Sequence, residues 1–592
     1  AGTLPRPEHA AATPVDHGPA TVMAESAAEL LASLPFAAER GLGSNIWAVD
    51  GRHTASGAAL LANDPHLGTS TPAPWYLASI RTSNGLVQGA TLPSLPVVVI
   101  GRNDAIAWGF TNTAADTEDL FVERLDPDDA GRYLAPEGSL PFITREEVIT
   151  VDGAEPVTLV VRETRHGPVL SDILPDAARV AGDGHVLALA WTALAPVDRT
   201  LEAGIELARA NDWDTFTAAI DHFLAPTQNA FYADREGGIG VRLAGRLPDR
   251  RATNDDLPAP GWTGDYDWRG LLPSSASPSA HHPEAGFLLN ANNRLVGPAF
   301  PYFLTADWND DLRARRIAAV LGAAAARGAP LDVEAMRQLQ DDRLSTLAHD
   351  FLPLLESVQP DDPRAAEILA AMEAWGGQSA ALRPEPLVFQ AWYRALVEHV
   401  LADHLGDGFD TYRGIRSQAM RHIVEEAPEW CDDRVTPDIV ETCPDMAARA
   451  LSTALRRLDE RYGSDWRAWR WGDASRVRMG HQPFDAVWGL RRLFSLEAEG
   501  GGDAGTVNVA RYAASAPYTT NAAASLRIVA DLAEPGILHA ILPTGQSGHP
   551  LSPHYADQKD AWRDGRLHPV TIADDARERR HILTLVPAGE AG

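Results

Sequence analysis

GSNIWAVDG, residues 43–51, decides how this chain is read. It follows directly on a Gly-Leu-Gly break at 41–43 and opens a strand pattern. A Gly-Ser pair in a turn is common and means nothing alone. A cut between Gly43 and Ser44, however, would leave a serine at the free end of a strand. A serine hydroxyl is a poor nucleophile until a base takes its proton. A free α-amine, with a pKa of about 7.7–8.0, can be that base on its own residue, acting through a water. Neither His nor Asp is then required.

Conventional signatures are missing elsewhere. The sequence has no H-E-x-x-H and no G-x-x-x-x-G-K-[ST]. The nearest approach to a nucleophile elbow, Gly545-Gln546-Ser547-Gly548, fails at its fifth position. His281-His282 is an isolated pair with no carboxylate at ligand spacing and reads as a solvated loop.

With 592 residues the chain exceeds one ordinary core, and two or more packed units are expected. A net charge of −30 with no basic run argues against nucleic acid. No apolar stretch approaches the roughly 18 residues of a membrane span. The opening AGTLPRPEHAAATP has neither an initiator Met nor a signal pattern, so the chain is expected to be a fragment or to begin at a processing point. Cys431 and Cys443 lack partners at zinc-like spacing. They are two free thiols or the short-loop disulfide of an exported protein.

Residues 1–43 are rich in Ala and Pro and read as a leader. The texture from 44 to about 300 is strand-like, with VVVI (97–100), EEVITV (146–151) and VTLVVRET (157–164). LEAGIELARANDWDTFTAAIDHFL (201–224) is a helical interruption. Over 312–470 the period becomes 3.6: Ile317, Val320, Leu321 and Ala324 share a face, as do Ile368, Leu369, Met372 and Trp375. Strand texture returns beyond 500 in ASLRIVADL, GILHAIL and HILTLV. The expectation is one discontinuous β-rich unit, 44–311 and 471–592, carrying a mostly helical insertion at 312–470.

GSNIWAVDG, LLANDPHL, GRNDAIAWGFTN, DTEDLF, TQNAFYAD with GGIG, GFLLNANNR, DLRARRI, WRWGD, GGDAGTVN and GQSGHPLSPHYADQ follow one another in order. Together they resemble the penicillin acylase family of N-terminal-nucleophile hydrolases, over about 44–592. The resemblance implies an α+β fold, the four-layer αββα sandwich. It also implies a precursor cut at Gly43–Ser44 into a smaller α chain and a larger β chain, the length from Ser44 onward being that of a β chain. The implied reaction is hydrolysis of a linear amide in a small N-acyl substrate through an acyl-enzyme, without organic cofactor, in a periplasmic or secreted protein. The exported habit of relatives favours a Cys431–Cys443 disulfide.

Residue by residue, Ser44 matches the nucleophile and, once cut, supplies the α-amine. Asn112 falls where a backbone N–H serves the oxyanion hole, and Asn292 matches the side-chain amide that donates to the same oxyanion. His66 matches the position whose backbone contacts the nucleophile's amine and is not read as a general base. Arg313 matches an arginine beside the active-site asparagine. Bland alternatives stand beside these: Asn112 and Asn292 as turn residues, Arg313 as a helix-surface charge with Arg315 and Arg316. The acyl pocket maps to Leu67, Ile100, Phe110 and Gln228, with Ile100 where glutaryl-accepting relatives supply a cation. Asp116, Glu118 and Asp119 match a structural calcium site, although a further family carboxylate is replaced by Tyr302; the alternative is a solvated acidic loop. Two competing classes remain, a serine esterase or peptidase with an ordinary triad and an uncleaved non-enzymatic homologue.

Overall fold

The computed structural model describes residues 43–253, 257–360, 362–409, 417–513 and 516–572. The leader before Gly43 and the HILTLV segment (581–586) lie outside the described residues.

Strand β1 (Gly43–Val49) is buried along its whole length. Successive side chains of a strand leave on opposite faces. Ile46 and Ala48 enter an apolar cluster with Trp108, Phe110 and Phe231 of a second sheet. Trp47 and Val49 join Ile317, Leu321 and Met336, which are helical. A strand apolar on both faces, as IWAV is, is stable only between two covering layers.

β1 pairs antiparallel with β2 (Leu60–Gly68) on one side and with the strand Phe287–Asn290 on the other. They belong to an eleven-stranded sheet. The facing sheet has seven strands, with β3 (Ile106–Asn112) and β4 (Gln228–Asp234) adjacent in it. Gly109 lets the two sheets close: a Cβ there would lie 2.6 Å from Asn63 Oδ1 and 2.8 Å from Ile46 Cδ1. Helix Trp213–Ile220 buries Phe216, Ala219 and Ile220 against the seven-stranded sheet. Helices Leu312–Arg327 and Val333–Gln340 cover the outer face of the other. The order is helix, sheet, sheet, helix, the αββα sandwich that the resemblance implied.

The helical run begins at Leu312, but its first two helices serve the sandwich. From Thr346 on, helices including Thr346–Glu356, Pro363–Trp375, Glu385–Leu405 and Cys443–Tyr462 build a core of their own around Phe351, Met372, Trp392 and Leu451. Cys431 and Cys443 are joined by a disulfide there, with Cα atoms 5.0 Å apart.

One strand expectation needs correction. Only Ile100 of VVVI is in a strand, Ile100–Asn103. The carbonyls of Val98 and Val99 instead accept the Trp108 indole N–H, at 3.4 and 3.0 Å. EEVITV and VTLVVRET do form strands, but they pair only with each other, and Ile143, Val148 and Val157 are exposed. Their β-branched residues reflect strand propensity rather than burial.

Candidate active site

Alternation along β1 also assigns the polar groups. Ser44 leaves on the face of Ile46, toward the second sheet; Asn45 leaves on the face of Trp47, toward the helix Leu312–Arg327. Ser44 Oγ donates to the Gly43 carbonyl at 2.7 Å, so the hydroxyl lies against the Gly43–Ser44 bond. Ser44 N donates to Asn292 Oδ1 at 2.7 Å. A Cβ at position 43 would come within 3.0 Å of Asn292 Oδ1 and 3.1 Å of Arg313 Nη2, which accounts for glycine there.

Asn292 is buried and sits in the left-handed region at φ 68°, where asparagine is among the few tolerated side chains. The turn alternative is therefore true of its backbone, while its side chain faces Ser44. Its Oδ1 accepts from both Ser44 N and Arg313 Nη2, the latter at 2.9 Å. That double acceptance fixes the amide orientation. Nδ2 then points the other way and gives one hydrogen to the Asn112 carbonyl at 3.1 Å, leaving the second free. Asn112 ends β3 and is exposed. Its side chain closes a local turn by accepting from Ala114 N at 2.9 Å. Its backbone is thus held beside Asn292.

Arg313 lies in the first turn of its helix and is 4% exposed, so the surface-charge alternative does not hold. Nη1 donates to the Ser44 carbonyl at 2.7 Å and to Asn45 Oδ1 at 2.6 Å. Arg315 and Arg316, its neighbours, do pair at the surface, with Asp350 and Asp342. Burial and nearby Arg511 draw the Arg313 pKa down, and Asp64 opposes them. An arginine starts so high that the guanidinium stays charged at neutral pH.

The ring of His66 does not belong to the Ser44 side of the sheet. It faces the helix layer, where Nε2 meets Asp64 Oδ2 at 2.8 Å and Asn45 Nδ2 at 3.3 Å. Asp64 and His66 are almost wholly buried. Burial raises the Asp64 carboxyl to about 8, against the pull of Arg527 and Asn45. Burial, with Arg313, Arg511 and Arg527, pushes the imidazole well below its usual range, so His66 is neutral.

Three residues without an assigned role prove to brace the cluster. Asn45 Nδ2 bonds Asp64 Oδ2 and the Val507 carbonyl, both at 2.9 Å, which ties GGDAGTVN to β1. Asn63 bridges the two sheets, donating to the Asn45 carbonyl at 2.8 Å and accepting from Phe110 N at 3.0 Å. Asn290 Oδ1 accepts from Thr111 Oγ1 at 2.8 Å, Asn229 Nδ2 at 3.1 Å and Asn292 N at 2.9 Å. All three stand inside quoted motifs, and buried asparagines in strand patterns are the signal that could have found them.

Leu67, Ile100 and Phe110 all belong to the apolar cluster that takes in Ile46 and Ala48, Leu67 at its partly buried margin; Phe110 leaves its strand on the face opposite Gly109 and lies near Phe223. Gln228 lies opposite Asn112 across β3 and β4. The acidic segment is arranged otherwise. Arg250 donates through Nε to Asp119 Oδ2 at 2.7 Å, and its Nη2 is 3.1 Å from both Asp116 Oδ2 and the Asp116 carbonyl. Glu118 and Asp119 are successive strand residues and leave on opposite faces. Among the described residues no cluster of three or more His, Cys, Asp or Glu could hold a metal ion. The guanidinium of Arg250 thus lies between Asp116 and Asp119, two of the residues matched to a calcium site.

The sequence model of the penicillin amidase family matches residues 6–579. The chain is 30% identical to acyl-homoserine lactone acylase QuiP of Pseudomonas aeruginosa, over 92% of this chain and 69% of that protein. It is 29% identical to the penicillin acylase 2 proenzyme of a Pseudomonas strain, over 93% of this chain and 70% of that protein. Among solved structures it superposes on a thermostable penicillin G acylase from Alcaligenes faecalis with a TM-score of 0.71 at 22% identity, covering 92% of this chain and 99% of that one. The fold is shared with that enzyme, and the chain belongs to the penicillin amidase family.

Proposed function

We propose that Ser44, freed by cleavage of the Gly43–Ser44 bond, is the nucleophile of an amide hydrolase acting on N-acyl compounds with an uncharged acyl chain. One observation carries this reading: both backbone polar groups of Ser44 are gripped, N by Asn292 and O by Arg313, at the end of a wholly buried strand. After the cut, Ser44 N is an amine. Arg313, charged and close by, disfavours its protonation and keeps it available as the base. Ser44 Oγ attacks the substrate carbonyl, and the second Nδ2 hydrogen of Asn292 stabilises the oxyanion with a backbone N–H at Asn112. The amine product leaves, and water then releases the carboxylic acid. His66 takes no proton in this scheme; with Asp64 it holds Asn45.

Maturation tests the nucleophile. The full precursor should yield a fragment starting Ser-Asn-Ile-Trp by intact mass, whereas Ser44→Ala should stay uncut and inactive. Cleavage at the same bond in that variant, with activity retained, would remove Ser44 from its role.

The family pattern gives Leu67, Ile100 and Phe110 to the acyl pocket, and all three belong to one apolar cluster. Taking a glutaryl carboxylate out of water without a paired cation costs several kcal/mol. Medium fatty acyl chains, as in acyl-homoserine lactones, are the first choice, with arylacetyl groups of the penicillin type next; the relatives' names support both. The deciding measurement is kcat/KM on amides differing only in the acyl tail. Glutaryl preferred over hexanoyl or phenylacetyl would overturn the choice, and Ile100→Arg should move preference toward glutaryl. The Cys431–Cys443 disulfide supports an exported, periplasmic or secreted, location.

A further inference from the structure

The acidic segment Asp116–Asp119 begins four residues after Asn112. Arg250 lies between its two aspartates. Its side chain is 6% exposed, while those of Asp116 and Asp119 are 23% and 26% exposed. The guanidinium reaches both aspartates and the Asp116 carbonyl. Asp116 Oδ1 is taken by the Glu118 N–H, at 3.4 Å, and Asp119 Oδ2 also receives the Trp268 indole N–H. Trp268 stands directly opposite Arg250 in a two-stranded ribbon, and the rings of Trp268 and Phe303 each lie 5.7 Å from the guanidinium carbon. Tyr302, next to Phe303, stands where the family resemblance expects a further carboxylate. An aromatic face suits a guanidinium and offers no ligand to a hard cation.

We propose that Arg250 is the resident cation of this site, joining the segment behind Asn112 to the ribbon Pro248–Arg250/Trp268–Leu271, so that the protein folds and stays folded independently of calcium. The donor set favours this over a metal that the arginine merely accompanies. A planar fork can take Asp119 through one nitrogen and Asp116 through another. A calcium ion at the same place would need six or more oxygens, and the guanidinium already takes the aspartate oxygens that face it.

The test uses the mature enzyme, expressed from its complete precursor. Thermal unfolding is followed after exhaustive treatment with a calcium chelator, and again after millimolar calcium chloride is restored. The wild-type Tm should be the same in both states. A Tm that falls on chelation and returns with calcium would overturn the proposal. Arg250→Met keeps the length of the side chain and removes the charge, and its Tm should drop by about 2 °C or more. Arg250→Lys should fall between the two, since it keeps the charge but loses the fork. An Arg250→Met protein as stable as the wild type would equally overturn the proposal, because a resident cation cannot be removed without cost. If that variant does not accumulate in folded form, the chelation experiment on the wild type decides alone.

Discussion

The cluster around Ser44 and the acidic segment around Asp116 lie only a few residues apart through Asn112, and both were reached by matching positions in a family pattern. At Ser44 the matched residues converge with partners far along the chain: Asn292 and Arg313 meet Ser44, and Asn45 meets Val507. At Asp116 the matched carboxylates are present, but the group between them is Arg250. A residue type at a matching position keeps its role only when the groups facing it are also kept. A carboxylate accepts from a guanidinium as readily as it binds a metal, so Asp116 and Asp119 alone cannot say which cation they serve.

The largest effect should come from the first region. Asn292→Ala removes the acceptor for Ser44 N and a donor to the oxyanion, and should lower kcat by about 10²–10³-fold. Single-turnover kinetics on the matured variant would measure this. A loss under threefold would mean that the Ser44 cluster, like the acidic segment, matches in position only.

His66→Gln sharpens the contrast through pH. The folded-state pKa of His66 lies below its unfolded value of about 6.5. As pH falls through that value the unfolded chain takes a proton that the folded chain refuses, so stability is lost toward acid. Asp64, raised to about 8, acts in the opposite sense: its stabilising neutral form is lost as pH rises toward that value. Substituting His66 should therefore change stability relative to wild type by up to ~1.4 kcal/mol per pH unit between about pH 5 and 6.5. The variant should gain toward acid, in chemical denaturation at stepped pH. A difference independent of pH would mean that the imidazole is charged in the folded protein.

The smallest effect belongs to Asp119→Asn. It weakens one partly buried charge-assisted hydrogen bond and should cost ~1–2 kcal/mol of stability, leaving kcat/KM within about twofold. A tenfold loss of kcat/KM would show that the acidic segment positions Asn112 and would erase the distinction between the two regions.

Much of the architecture was legible because it rests on local pattern. IWAV, apolar on both faces, announces a strand between two layers, and the change to a 3.6 period at Leu312 marks the helices. VVVI misled because an indole, not a neighbouring strand, takes the carbonyls of Val98 and Val99, and no local signal carries that choice. Ser44 too was legible in one dimension, as a serine that heads a strand pattern directly behind a Gly-Leu-Gly break.

What the sequence determined by itself, then, is where most of the strand-rich and helical stretches lie and which serine could become a chain end, since those follow from periodicity and from the chemistry of one residue. Only the tertiary structure decided that His66 turns to the helix layer with Asp64, that Arg313 is buried against Ser44 rather than lying at the surface with Arg315 and Arg316, and that Arg250 fills the place between Asp116 and Asp119. Hydrogen bonds and ion pairs are made at about 3 Å, between groups brought together from up to hundreds of residues apart, and no one-dimensional spacing encodes which donor arrives.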